Sequence, residues 1–277
     1  MQLRIGYELI YSFPKPTPII LVVNVHESRD RDLIVPDLLT VEPSIPITAY
    51  RDAFGNKCKR VLAPAGRLRL AANGIIRDSG QPDEVFATVG QDTVEGLPDE
   101  TLVFLLGSRY CETDLLSNAA WQLFSGTATG YPRVQAICDY VHNHIRFDYQ
   151  NARATRGAAE AFNERTGVCR DFAHLAVAFC RCMNIPARYC TGYLSDLGTQ
   201  PPYGVGDFAA WFEAWIGGRW HTFDPRNNVP RIGRVLMARG RDACDVAIAT
   251  TFGPNTLESF QVWTDEIPDG EVRGTAG

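Results

Sequence analysis

The stretch GDFAAWFEAWIGGRWHTFDPRN, residues 206–227, decides how the chain is read. Two aromatic-rich runs flank Gly217-Gly218, and such a pair suits the positive-φ positions of a two-residue hairpin turn. With these glycines at the centre, Ile216 pairs with Arg219, Trp215 with Trp220, Ala214 with His221 and, by extension, Trp211 with Asp224. Side chains alternate between faces, so positions 209, 211, 213 and 215 share a face with 220, 222 and 224, while His221 lies on the other. Asp224 is then diagonal to position 209, about 7–8 Å between backbones, a gap that an imidazole and a carboxylate would close together. Position 209 is an alanine, which takes no proton. A three-residue loop would reverse this parity, so the reading depends on the Gly-Gly turn.

Upstream of the hairpin, GVCRDFAHLAVAFCRCMNIPA (167–187) predicts a helix with Phe172, Leu175, Phe179 and Cys182 on one stripe and Pro186 just past its end. DLLSNAAWQLFSG (114–126) and YPRVQAICDYVHNHIRF (131–147) also carry helical spacing, the first stopped by glycine and the second opened by a proline suited to a first turn. ARYCTGYL (187–194) reads as a strand, followed by a Pro/Gly loop over 195–206 that includes Pro201, Pro202 and Tyr203. From Met1 to about Ala87 the pattern alternates apolar and polar residues between Pro, Gly and Asp, as in LRIGYELIYSF and PIILVVNV, which predicts a small all-β module. Residues 84–98 are acidic and irregular, as a linker would be, and the tail, DVAIATTFGPNTLESFQVWTDEI, returns to alternation. The expected organisation is a β-sandwich-like module over 1–87 and an α+β core over 88–277.

Composition narrows the function. The chain has 277 residues, 45% of them hydrophobic, enough for a well-buried core. A net charge of −5 without a Lys/Arg stripe argues against nucleic acid as a partner. The longest apolar run, residues 18–25, is far short of the ~20 residues of a spanning helix, and no charged n-region with a cleavage site precedes it. The expectation is a cytoplasmic protein with no membrane partner. Eight cysteines lack C-x-x-C pairs, so neither a zinc site nor a disulfide framework is expected, and no cofactor is implied.

Cys169 is placed differently from the other cysteines. It falls in the first turn of the predicted helix after Thr166-Gly167, either of which can serve as N-cap, near roughly +0.5 of partial charge and unpaired backbone N–H groups that favour thiolate. Those N–H groups, including that of Cys169 itself, could also stabilise an oxyanion. Cys169 is therefore either one more packing cysteine or a nucleophile, whereas Cys180, Cys182 and Cys190 lie where burial raises a thiol pKa. Among the histidines, His142 and His144 suit a helix end, His26 belongs to the β module, and His174 lies on the Cys169 helix but on another side.

Taken together, RTGVCRDFAHLAVAFCRCMNIPARYCTGYL (165–194), DFAAWFEAWIGGRWHTFDPRNNVPRIGR (207–234), TLVFLLGSRYCETD (101–114) and TTFGPNTLESFQVWTDE (250–266) resemble the bacterial transglutaminase-like proteins. This is a branch of the papain-like Cys-His-Asp superfamily, and residues 1–87 are similar to the β module that precedes its core. The resemblance implies a helix bearing Cys169 packed on an antiparallel sheet. It implies Cys169 as nucleophile and Asp224 as the acid that orients an imidazole. The family motif, DFHAW, has histidine where this chain has Ala209. The implied chemistry is thiolate attack on the amide carbonyl of a peptide or protein substrate, an acyl-enzyme held by the Cys169 N–H, and release to water. Without the base the chain is expected to be nearly inactive, through an engineered His-to-Ala change or as a natural non-catalytic peptide binder; intact Cys169 and Asp224 favour the first. Transfer of the acyl group to an amine uses the same residues, and no D-x-[DN]-x-[DN]-G calcium loop is present. Tyr149, Tyr203 and Trp211 are expected to line the substrate cleft, and loop 195–206 to gate it.

Overall fold

The structure, a computed structural model, describes residues 1–200 and 206–268. In chain order the strands are β1 (Gln2–Phe13), β2 (Thr17–Leu21), β3 (Leu33–Val35), β4 (Thr40–Glu42), β5 (Thr48–Arg51), β6 (Lys57–Ala63), β7 (Gly66–Arg77), β8 (Arg146–Phe147), β9 (Thr166–Gly167), β10 (Ala187–Leu194), β11 (Ala209–Ile216), β12 (Arg219–Phe223), β13 (Arg234–Gly240), β14 (Ala249–Thr251) and β15 (Thr256–Ile267). The helices are α1 (Asp99–Leu102), α2 (Thr113–Phe124), α3 (Tyr131–His144), α4 (Ala158–Glu164) and α5 (Cys169–Cys182). No helix among the described residues is long and apolar enough to cross a membrane.

Helix α5 is the hub of the core. Nearly all of its side chains are buried, and Phe172, Leu175 and Phe179 meet apolar residues of α2, α3 and α4. Its opposite side lies on the sheet ordered β12-β11-β10-β13, where Phe212, Ala214 and Ile216 of β11 complete the same cluster. A helix buried nearly all round needs both of its sides covered. The other side of that sheet sends Tyr193, Val235 and Met237 into a second cluster shared with the N-terminal strands. The α+β reading therefore holds, with the Cys169 helix packed on an antiparallel sheet.

The N-terminal strands form two antiparallel sheets, β15-β1-β7-β3 with β4 joined to β7, and β14-β2-β6-β5. Their buried faces alternate along β1, with Leu3, Ile5, Tyr7 and Leu9 all inaccessible. Residues 1–87 do not complete these sheets alone. The tail returns to strand as its alternation predicted, but it crosses back: β15 pairs along the whole of β1, from Gln2 opposite Ile267 to Ser12 opposite Thr256.

The acidic stretch read as a linker is docked along much of its length. The backbone of Tyr131 donates to Val89 O, Gly218 N–H reaches the Asp92 carboxylate, and Phe86 sits between His221 and the Arg219 guanidinium. Its polar residues find partners on the hairpin and on α3, which is why composition alone suggested a free segment.

Candidate active site

Cys169 is the first residue of α5. The N-cap is Val168, not Thr166 or Gly167; valine has no side-chain acceptor, so the cap comes from inside the helix, where Asp171 Oδ2 accepts the Val168 N–H at 2.9 Å. That buried carboxylate is itself held by Arg156 at 3.1 Å and by Arg170. The first turn of α5 is thus fixed by an ion pair at its base, which holds the thiol in place.

The electrostatics correct the expectation of a thiolate. The Cys169 thiol is pushed up to about 11, by burial first and then by the Asp207 and Asp224 carboxylates; the N–H groups of Ala210 and Arg170 pull the other way and do not prevail. The helix terminus alone is outweighed by desolvation and two nearby negative charges. Asp207 is itself raised, mainly by burial, while Tyr149 Oη stands 3.5 Å from its carboxylate. Asp207→Asn is accordingly expected to lower the pKa of the thiol, read as faster iodoacetamide alkylation at fixed pH. An unchanged pH profile would mean that the Asp207 charge does not reach the sulfur.

The hairpin has the register read from its glycines. Ile216 faces Arg219, Trp215 faces Trp220 and Ala214 faces His221, and Gly217 and Gly218 have φ of +60° and +77°. His221 lies on the inner face as parity requires, buried against Phe86 and Tyr131 with Nε2 3.1 Å from Ile216 O. Asp224, one residue past the last paired position, is buried. Its Oδ1 accepts the Asn227 N–H at 3.0 Å, and its Oδ2 accepts Asn227 Nδ2 at 2.8 Å and Arg234 Nη2 at 3.0 Å. Arg234 in turn grips Asp83 of the docked stretch at 2.9 Å. Asn227 and Arg234 therefore hold Asp224 in place, and Oδ1 accepts a single bond among the described residues.

Cys169 and Ala209 line one cavity of about 560 Å³, together with Tyr149, Asp207, Arg231 and a run of β15, residues 262–265. Asp224 is not in its wall, although its loop neighbour Asn227 is; Asp224 borders a smaller void with Asp83 and Tyr131. Of the residues expected to line the cleft, Tyr149 does so. Trp211 does not: its ring is buried under the Arg234 guanidinium, 4.7 Å away, because the face that looks toward Asp224 is filled by that arginine. Tyr203 and the rest of residues 201–205, within the loop expected to gate the cleft, lie outside the described residues.

Sequence reasoning missed Asp207, Arg231 and the β15 wall. Asp207 had a signal, since strand parity puts it on the same face as position 209, two residues on. The β15 wall had none, being distant in sequence. His174, the other histidine of α5, has Nε2 accepting Ala243 N–H at 3.1 Å and is sandwiched by Tyr110 and Tyr189, a packing role. Among the described residues no group of three or more His, Cys, Asp or Glu side chains is arranged to hold a metal ion.

With this geometry in hand, comparison with known proteins places residues 118–225 in a match to the transglutaminase-like superfamily. The fold is similar over nearly its whole length to a candidate cysteine protease from Cytophaga hutchinsonii. That structure superposes with a TM-score of 0.82 at 32% identity, over 96% of this chain and 90% of the other. An uncharacterized protein of Mycobacterium leprae is 40% identical over 91 residues, and one of Mycobacterium tuberculosis is 34% identical over 130 residues. The chain spans 32% and 40% of the lengths of these two mycobacterial relatives.

Proposed function

Because the chain belongs to the transglutaminase-like superfamily, we propose that its cavity is the site of a cysteine-dependent amide hydrolase, and that the chain as it stands lacks the general base. The reading is carried by one juxtaposition: Cys169, at the start of a fixed and buried helix, shares a cavity wall with position 209. In this reading the Cys169 sulfur attacks the carbonyl carbon of a peptide or protein amide, and the resulting oxyanion is met by the Cys169 N–H at the helix terminus. Collapse breaks the C–N bond, the amine leaves with the proton taken from the thiol, and water then hydrolyses the thioester.

The proton is carried by an imidazole at 209, oriented by Asp224, and Ala209 supplies neither step. Losing one member of such a unit typically costs about 10⁴–10⁶ in rate. The raised thiol agrees with this, since at neutral pH the sulfur is protonated. We propose further that Arg234 positions Asp224 and that the Asp83 contact holds both.

The test is turnover by Ala209→His against a broad peptide library, with mass spectrometry of Cys169 for a trapped thioester and a parallel arm containing a primary amine. Hydrolysed products and a thioester on Cys169 are expected. Amide products in the amine arm would assign acyl transfer instead. No thioester and no product over the whole library would sink the enzyme reading and leave a non-catalytic binder.

A further inference from the structure

Arg231 stands out among the buried arginines. Arg156 is paired with Glu164 and Asp171, Arg188 with Glu213, and Arg234 with Asp83 and Asp224. Arg181 spends its guanidinium on the carbonyls of Leu106, Ala187 and Arg241, and Arg133 on Thr127 and Gln91. Arg231 is just as buried, at 8% exposure, yet its guanidinium has one close partner, Ser195 O at 2.7 Å from Nη2. Its contact with Asp83 is through the backbone N–H. The Asp196 carboxylate is 3.8 Å from Nη2 and more than half exposed, too loose and too wet to neutralise the charge. Among the described residues, Nε is buried without a partner and Nη1 has none.

A cation removed from water is normally satisfied by a paired anion or a full set of acceptors. Among the described residues Arg231 has neither a close paired anion nor a full set of acceptors, and the side chain lines the cavity that holds Cys169. The Asp224 and Asp196 charges act on it from the protein side, and the Arg234 and Arg226 charges oppose them. The planar fork of a guanidinium matches a carboxylate in two parallel bonds. A phosphate matches it too, but Asp196, Asp207 and Asp265 line the same cavity and would repel a dianion more strongly than a monoanion. The volume of about 560 Å³ suits a short peptide.

We propose that Arg231 selects the substrate, and that the molecule presented to Cys169 carries a free carboxylate received by this guanidinium inside the cavity. The proposal rests on the amide-hydrolase reading for what happens to the ligand, but recognition itself can be measured without turnover. The chain with Ala209 is mixed with a library of N-acetylated tripeptides bearing free C-terminal carboxylates, and separately with the same library as C-terminal primary amides. Retained peptides are identified by affinity selection with mass spectrometry.

The acids are expected to bind at least about tenfold tighter than the amides, as for one charge-assisted pair. Arg231→Gln should erase the difference and Arg231→Lys should reduce it, both confirmed as folded by thermal melting. Equal retention of acids and amides, no retention of either, or an acid preference that survives Arg231→Gln would each overturn the proposal. The acid-against-amide comparison on the unaltered chain decides it even if the variants do not fold. The two readings separate cleanly: an acid preference with no turnover by Ala209→His removes the hydrolase and keeps Arg231. Equal turnover of acids and amides does the reverse.

Discussion

Replacing Ala209 with histidine is expected to speed alkylation of Cys169 at pH 7 by about a hundredfold. The thiol now sits at about 11, so about one part in 10⁴ is thiolate at that pH. A neighbouring imidazolium brings cysteine pKa values to roughly 7 or below, at which about half the sulfur is ionised. That is a gain of several thousandfold in thiolate. The less basic sulfur is also less nucleophilic, by roughly 40- to 100-fold for a four-unit drop at a Brønsted slope of about 0.4–0.5. The net is near two orders of magnitude, and its pH profile should move from a rise above pH 9 to a plateau near neutrality. The measurement is the iodoacetamide rate between pH 5 and 10, with Cys169→Ser to subtract the exposed Cys244. A profile that stays where it is would mean that position 209 does not face the sulfur, which would remove the base from the proposed mechanism.

The second large effect is on folding. Ending the chain after Asn255, which removes β15, is expected to leave little soluble, cooperatively folding protein. β15 contributes buried Val262 and Ile267 and the half-buried Phe260, and the Trp263 ring lies directly over Gly6, where an added Cβ would come within 2.5 Å of it. At roughly 1.5–3 kcal/mol for each buried side chain, the three apolar residues account for roughly 5–9 kcal/mol, much of the whole stability of a typical domain. The long edge of β1 would also be bare, a template for association. Size-exclusion chromatography and thermal melting decide the matter: a monomer with an unchanged melting temperature would show that β15 is an accessory to the sheet.

The hairpin was legible to the residue because a Gly-Gly turn fixes register, and register fixes the face of every side chain. Helix α5 was legible from its apolar period and from Pro186. The state of the Cys169 thiol was misread because a helix terminus is a local feature, whereas burial and the Asp207 and Asp224 charges are assembled by the fold. Trp211 was assigned to the cleft on spacing alone; Arg234, which covers it, arrives from a strand whose partner order the chain does not reveal. Arg231 could not have been singled out, since what marks it, a buried guanidinium with one close acceptor among the described residues, exists only in three dimensions. Both ends of the chain were seen to be strand-like, but alternation does not say which strands pair, so the union of β1 with β15 was invisible.

That union sets an order of events during synthesis. β15 begins about 240 residues after β1 ends, and it is β15 that supplies the cavity wall at residues 262–265. At ribosomal rates of about 5–20 residues per second, β1 waits roughly 12–50 s with one edge open. The cavity around Cys169 is incomplete throughout that interval. The walls of the cavity around Cys169 thus come from segments made far apart in time, and they close only once β15 has paired with β1.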